Sequence, residues 1–106
     1  MLEAIKKFMG IKTTDYAQLM ELGAIIVDVR TGGEFSQGHI KGSVNIPVDR
    51  IARSADQLKA KKKPVITCCA SGMRSATAKS ILESKGIAEV YNGGSWHGLN
   101  RKINRR

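Results

Sequence analysis

The sequence predicts an α/β fold with a central parallel sheet of about four to five strands and helices on both faces. Three observations predict it. Residues 24–30 and 65–68 are apolar runs rich in β-branched side chains, as in strands buried on both faces. The segments between them place apolar residues at helical spacing and stop at glycine. Strand and helix alternating within 106 residues leaves parallel pairing through crossovers, and a single domain over 1–106.

Taken in order, Thr13, Thr14 and Asp15 offer N-cap chemistry, and Tyr16, Leu19 and Met20 carry a helix that stops near Gly23. Residues 24–30 form the first strand, and Thr31, Gly32 and Gly33 break it. One helical turn follows over 34–38. Residues 43–46 make a short second strand closed by Pro47. A helix or pair of turns runs from 48 to 58, with Ile51, Ala55 and Leu58 inward. Pro64 starts the strand 65–68. The helix over 73–85 turns Ala76, Ile81 and Leu82 inward and stops at Gly86. Residues 89–91 are a last strand. Asn92, Gly93, Gly94 and Ser95 turn the chain into a closing helix from Trp96 to about Ile103.

Composition narrows the function classes. Hydrophobic residues are 42% and charged residues 25%, which is globular rather than disordered. No apolar run nears the ~20 residues of a membrane helix, so a soluble protein with no membrane partner is expected. Residues 1–9 form a short amphipathic stretch without the pattern of a signal peptide, so the expected location is the cytoplasm. The net charge is +9, carried largely by residues 59–63 and 101–106. Aromatics do not interleave with these runs, so base stacking, and with it nucleic-acid binding, is not expected. They read as solvated surface, or as a positive potential drawing in small anions. Two adjacent cysteines cannot build a disulfide framework, and the histidine and cysteine spacing does not suit zinc. Reduced thiols remain.

The chemistry concentrates in residues 65–77, where a strand passes through Cys68 and Cys69 into a short loop and then a helix. The first amides of a helix lack internal partners and carry partial positive charge. A thiol above them is stabilised as thiolate, and an anionic substrate binds the same groups. Asp28, Arg30 and Cys69 all fall at carboxyl ends of strands, where parallel sheets bind ligands. Neighbouring strand residues face opposite ways, which turns Cys68 into a helix–sheet layer if Cys69 opens into the loop. The alternative role for Cys68 is a resolving thiol.

Three segments together resemble the single-domain rhodanese (sulfurtransferase) family. The first holds Asp28-Val29-Arg30, Glu34-Phe35, Gly38-His39-Ile40, Gly42-Ser43 and Asn45-Ile46-Pro47. The second is Cys69-Ala70-Ser71-Gly72-Met73-Arg74-Ser75, similar to the family's Cys-x-x-Gly-x-Arg loop. The third is Val90 with Gly93-Gly94 and Trp96. The departures are Ala70, where many members carry Arg or another polar residue, and the extra cysteine before the nucleophile.

The resemblance implies a rhodanese-like fold and a thiosulfate sulfurtransferase without metal or cofactor. Cys69 is the nucleophile. A small anionic donor such as thiosulfate loads it with a persulfide sulfur, and a thiol or cyanide acceptor removes that sulfur. The amides of Ala70, Ser71, Gly72, Met73 and Arg74 point at one centre, with Gly72 supplying a positive φ and Met73 shaping the rim. Arg74 either contacts the donor's oxyanion or pairs with Glu34 or Asp28 to pin the loop; the pairing is favoured. Asp28 and Arg30 orient the loop region or simply form a buried, hydrogen-bonded turn. His39 reads as a packed turn residue, His97 as solvent-facing and Trp96 as a core or half-buried anchor. A monomer is expected.

Two other classes fit parts of the same sequence. Counted from Cys68 the motif becomes Cys-x5-Arg, the spacing of cysteine-dependent phosphatases, although no general acid lies near it. The chain also suits a persulfide carrier or interaction module that turns thiosulfate over poorly, and Ala70 is consistent with low thiosulfate affinity.

Overall fold

The computed structural model describes residues 13–104, so the amphipathic stretch at 1–9 and the last two arginines lie outside the described residues. Helix α1 (Tyr16–Glu21) is capped by Asp15, whose carboxylate accepts from the Gln18 amide at 3.0 Å. Strand β1 (Ile25–Asp28) is shorter than expected. The Val29 amide still donates to the Cys68 carbonyl at 2.9 Å, but the Asp28 carboxylate then takes the Arg30 amide and turns the chain out of the sheet.

Helix α2 (Gly32–Ser36) begins two residues earlier than the sequence reading, so Gly32 and Gly33 are its first turn rather than a break. The reason is a capping box. Thr31 Oγ1 accepts from the Glu34 amide at 3.2 Å, and Glu34 Oε1 accepts from the Thr31 amide at 3.0 Å. The short β2 (Val44–Asn45) leads to a 3-10 turn (Val48–Arg50) and helix α3 (Ile51–Ala60), which buries Ile51, Ala55 and Leu58 as expected. Strand β3 (Val65–Cys69), helix α4 (Met73–Ser84), strand β4 (Val90–Ser95) and helix α5 (Trp96–Ile103) complete the order.

The four strands pair in parallel in the order β2-β1-β3-β4. Alternation along β3 divides the core into two layers. Val65 and Cys69 pack with Val27, Ile51, Leu58, Ala78 and Leu82 beneath α3 and α4. Ile66 and Cys68 pack with Leu19, Ile26, Ile40 and Leu99 beneath α1 and α5. The two cysteines therefore face opposite sides, as strand geometry requires.

Two further departures from the sequence reading matter for the site. Helix α4 buries Ser75, Ala78 and Leu82, whereas Ala76 is exposed and Ile81 only half-buried. A polar residue takes the inward position because its hydrogen bonds lie inside. Residues 92–95 were expected to turn but continue β4. Thr67 pairs with Asn92 and Cys69 with Ser95, so β4 spends one extra residue there, a bulge around Gly93 and Gly94. Gly93 is packed so closely that a Cβ would stand 2.9 Å from the Thr67 carbonyl oxygen and 2.8 Å from Leu99 Cδ2.

Candidate active site

Cys69 is the last residue of β3, one residue further along the strand than expected, and it is fully buried. Its sulfur faces the head of α4, a helix whose N-cap, Gly72, has no side chain to bond the first amides. Cys69 Sγ takes that place. It accepts from the Gly72 amide at 2.9 Å and from the Ser75 amide at 3.4 Å, and the Ser75 hydroxyl lies 3.5 Å away. Burial alone pushes the thiol pKa up. Hydrogen bonds from the Ser75 hydroxyl and from the Ser75, Gly72 and Ser71 amides outweigh it and bring the pKa below the ordinary thiol value.

The expected ring of amides is thus displaced along the chain. Those bonding the sulfur belong to Ser71, Gly72 and Ser75; the sequence reading names Ser75 in the loop motif but gives it no part in holding the sulfur. Gly72 has φ +104°, and a Cβ there would meet Gly94 Cα at 3.3 Å, so the loop closes tightly over the sulfur and against the β4 bulge. Ala70, Ser71 and Met73 form its exposed outer surface, with Met73 78% exposed.

Arg74 makes the favoured pairing. Its Nη1 and Nη2 donate to Glu34 Oε1 and Oε2 at 2.8 and 3.1 Å, a two-pronged bond that ties α4 to α2. The Arg74 guanidinium, with the Thr31 amide adding to it, holds the Glu34 carboxyl down at about 2. Asp28 does not join this pair. It faces Arg30, whose Nε and Nη2 reach its oxygens at 2.9 and 2.7 Å. Arg30 also donates to the carbonyls of Gly38 at 2.7 Å and Glu34 at 3.3 Å, and its guanidinium lies 4.7 Å from the centre of the half-buried Trp96 ring. Asp28 and Arg30 are thus a buried, hydrogen-bonded corner that sets the position of α2.

One histidine meets expectation and the other does not. His97 is exposed, and His39 is exposed rather than packed, though it stacks on Phe35 at 3.6 Å and its Nδ1 lies 2.7 Å from the Phe35 carbonyl. Cys68 lies in the opposite layer, where burial first, then the nearby Asp28 charge, pushes its thiol up to about 12. The lysines of 59–63 are exposed at the end of the sheet opposite Cys69, which removes them from the site. Among the described residues no helix is long and apolar enough to cross a membrane.

Asn92 is the second residue that sequence reasoning missed. Its Oδ1 accepts from the Ser75 hydroxyl at 2.6 Å and from the Gly94 amide at 3.0 Å, while its Nδ2 donates to the Gly72 carbonyl at 3.3 Å. One side chain on β4 thereby binds the loop after Cys69, the bulge and α4 together.

The rhodanese-like domain profile matches residues 12–100. The chain is 30% identical over 101 residues to thiosulfate sulfurtransferase GlpE of Shewanella oneidensis, covering 91% of this chain and 99% of that one. It is 37% identical over 69 residues to the uncharacterized protein YqhL of Bacillus subtilis, covering 65% of this chain and 54% of YqhL, so it spans about half of that relative's length. Among solved structures, a rhodanese with anions from E. coli superposes with a TM-score of 0.67 at 28% identity, over 72% of this chain and 91% of that one. The parallel sheet, the Cys-x-x-Gly-x-Arg loop at the carboxyl end of its third strand and these matches agree: the chain belongs to the rhodanese-like domain family.

Proposed function

We propose that the protein is a sulfurtransferase that carries sulfane sulfur from a donor such as thiosulfate to a thiol or cyanide acceptor through a persulfide on Cys69. The observation that carries this reading is the sulfur's position at the head of α4, bonded by the Gly72 and Ser75 amides. A thiolate so held attacks the outer sulfur of thiosulfate. The sulfur–sulfur bond of the donor breaks, sulfite leaves with the electron pair, and Cys69 keeps the sulfur. An acceptor thiolate or cyanide then attacks that outer sulfur and Cys69 leaves as thiolate. No general base is needed, because ionisation precedes attack. Since the sulfur is fully buried, the donor reaches it only when the loop of Ala70, Ser71, Gly72 and Met73 gives way locally.

One observation favours a second reading. Arg74 is committed to Glu34, and the loop's other side chains are Ala70, Ser71 and Met73, so the loop offers a sulfonate no free cation of its own. This suits a carrier loaded from another thiol's persulfide. The phosphatase reading draws no such support, because Cys68 packs among Leu19, Ile40 and Leu99, away from the loop amides.

The test is intact mass after incubation with thiosulfate, and in parallel with a small-thiol persulfide. The expected result is a gain of one sulfur atom that cyanide removes, kept in Cys68→Ser and lost in Cys69→Ser. Loading by the persulfide alone selects the carrier. A sulfur gain that survives Cys69→Ser refutes both readings.

A further inference from the structure

The hydroxyl of Ser75 stands between a sulfur and an amide oxygen and owns one proton. On one side lies Cys69 Sγ at 3.5 Å, on the other Asn92 Oδ1 at 2.6 Å. The orientation of the Asn92 amide is fixed by its other partners. Oδ1 faces the Gly94 N–H at 3.0 Å and Nδ2 faces the Gly72 carbonyl at 3.3 Å, so a flipped amide would set donor against donor and acceptor against acceptor. A carbonyl oxygen cannot donate, and the short contact therefore has Ser75 as its donor. With the thiol neutral the order is complete: S–H donates to Ser75 Oγ, whose O–H donates to Asn92 Oδ1.

That order fails when the sulfur is charged. The S–H bond breaks and its proton leaves to solvent, and Ser75 Oγ and the thiolate then face each other with lone pairs only. The hydroxyl can turn, its O–H bond intact, and donate to sulfur instead. Asn92 Oδ1 tolerates the loss because it keeps the Gly94 amide, and a charged acceptor makes the stronger bond.

We propose that Asn92 is a positioning residue for Cys69: its carboxamide holds the Ser75 proton off the sulfur in the neutral thiol and yields it once the sulfur carries charge. Asn92 competes with the nucleophile for one hydrogen, so its acceptor strength sets how readily Cys69 ionises. The other ionisable groups bearing on this layer are few. Arg74 on α4 acts on Cys69 while bound to Glu34, and Cys68 on β3 adjoins Asp28 and Arg30 of the first strand's end. From β4 the contact comes through the uncharged Asn92.

The inference rests on Cys69 as the nucleophile, but its test needs no sulfur donor. The probe is the rate of iodoacetamide alkylation at Cys69, read by peptide mass against pH in the full chain. Asn92→Ala frees the hydroxyl for the thiolate, and the pH midpoint should fall; Ser75→Ala removes the donor, and the midpoint should rise. In the Ser75→Ala background Asn92→Ala should no longer move the midpoint. Asn92→Asp keeps size and acceptor but adds charge, and alkylation at pH 7 should slow about tenfold. That slowing should shrink in the Ser75→Ala background. If Asn92→Ala does not fold, Asn92→Asp decides alone. Equal effects of the Asn92 substitutions with and without the Ser75 hydroxyl overturn the proposal, as does an unmoved midpoint. Failure of thiosulfate loading with coupling intact would instead strike the sulfurtransferase reading.

Discussion

Replacing Gly93 by alanine tests the packing that sets the β4 bulge. The new methyl would stand 2.8 Å from Leu99 Cδ2, 2.9 Å from the Thr67 carbonyl oxygen and 3.0 Å from Ile66 Cγ2. Leu99 can turn slightly, but the Thr67 oxygen belongs to the backbone of the buried β3 and cannot retreat without disturbing the sheet. Overpacking of this kind costs about 1–3 kcal/mol, and the immovable partner sets the expectation at about 2–3 kcal/mol. In a domain of this size that lowers the melting temperature by roughly 10–20 °C. Gly33→Ala is the control. A methyl there meets no atom within 4 Å, and its φ is not positive, so the loss of chain freedom should stabilise by about 0.4–1 kcal/mol. Urea denaturation followed by circular dichroism reads both, with an unchanged slope confirming that the midpoint shift is a stability change. If Gly93→Ala unfolds at the same urea concentration as Gly33→Ala, the close approach of α5 and β3 to β4 is wrong.

Three further outcomes follow from the site. Glu34 is held down at about 2 against an ordinary 4.5, so its contribution is complete above pH 4.5 and fades as pH falls toward 2; the melting-temperature gap between the parent and Glu34→Gln should close across that interval. In the folded protein iodoacetamide should modify Cys69 alone, and Cys68, with its thiol pushed up to about 12, should react only in denaturant, as peptide mass would show. Ala70→Arg should lower the KM for thiosulfate in a cyanide-coupled assay, and an unchanged KM would discard the role of the missing cation.

The strands and the order of elements were legible because burial leaves its mark in composition. A stretch such as Val65-Ile66-Thr67-Cys68 has no polar face to show, and the glycine stops bound the helices between the strands. That Arg74 pairs with a carboxylate was legible from its place at the start of a helix, where it points back over the sheet, but the choice of Glu34 over Asp28 was not, because Asp28 is taken by Arg30. What escaped was hydrogen bonding across elements distant in sequence. Asn92 beside two glycines looks like a turn, and only the bulge against β3 turns it toward Ser75, seventeen residues earlier. Ser75 did leave a trace, since it shares the 75, 78, 82 row with the buried Ala78 and Leu82, but a polar residue in that row is easily passed over. The start of α2 escaped for a similar reason: its glycines suggest a break, and the Thr31–Glu34 capping box overrides them.

The pleat that sends Cys68 and Cys69 into separate layers also decides how this protein would meet oxidants. Vicinal thiols on opposite faces of a strand cannot close onto each other without tearing the sheet, so a sulfenic acid at position 69 finds no rescuer within its own chain. On the proposed sulfur transfer, repair would come from a small thiol or reductase arriving from outside, past the same loop of Ala70, Ser71, Gly72 and Met73 that covers the buried sulfur. Under that proposal, protection and turnover would depend on the same local yielding of this loop.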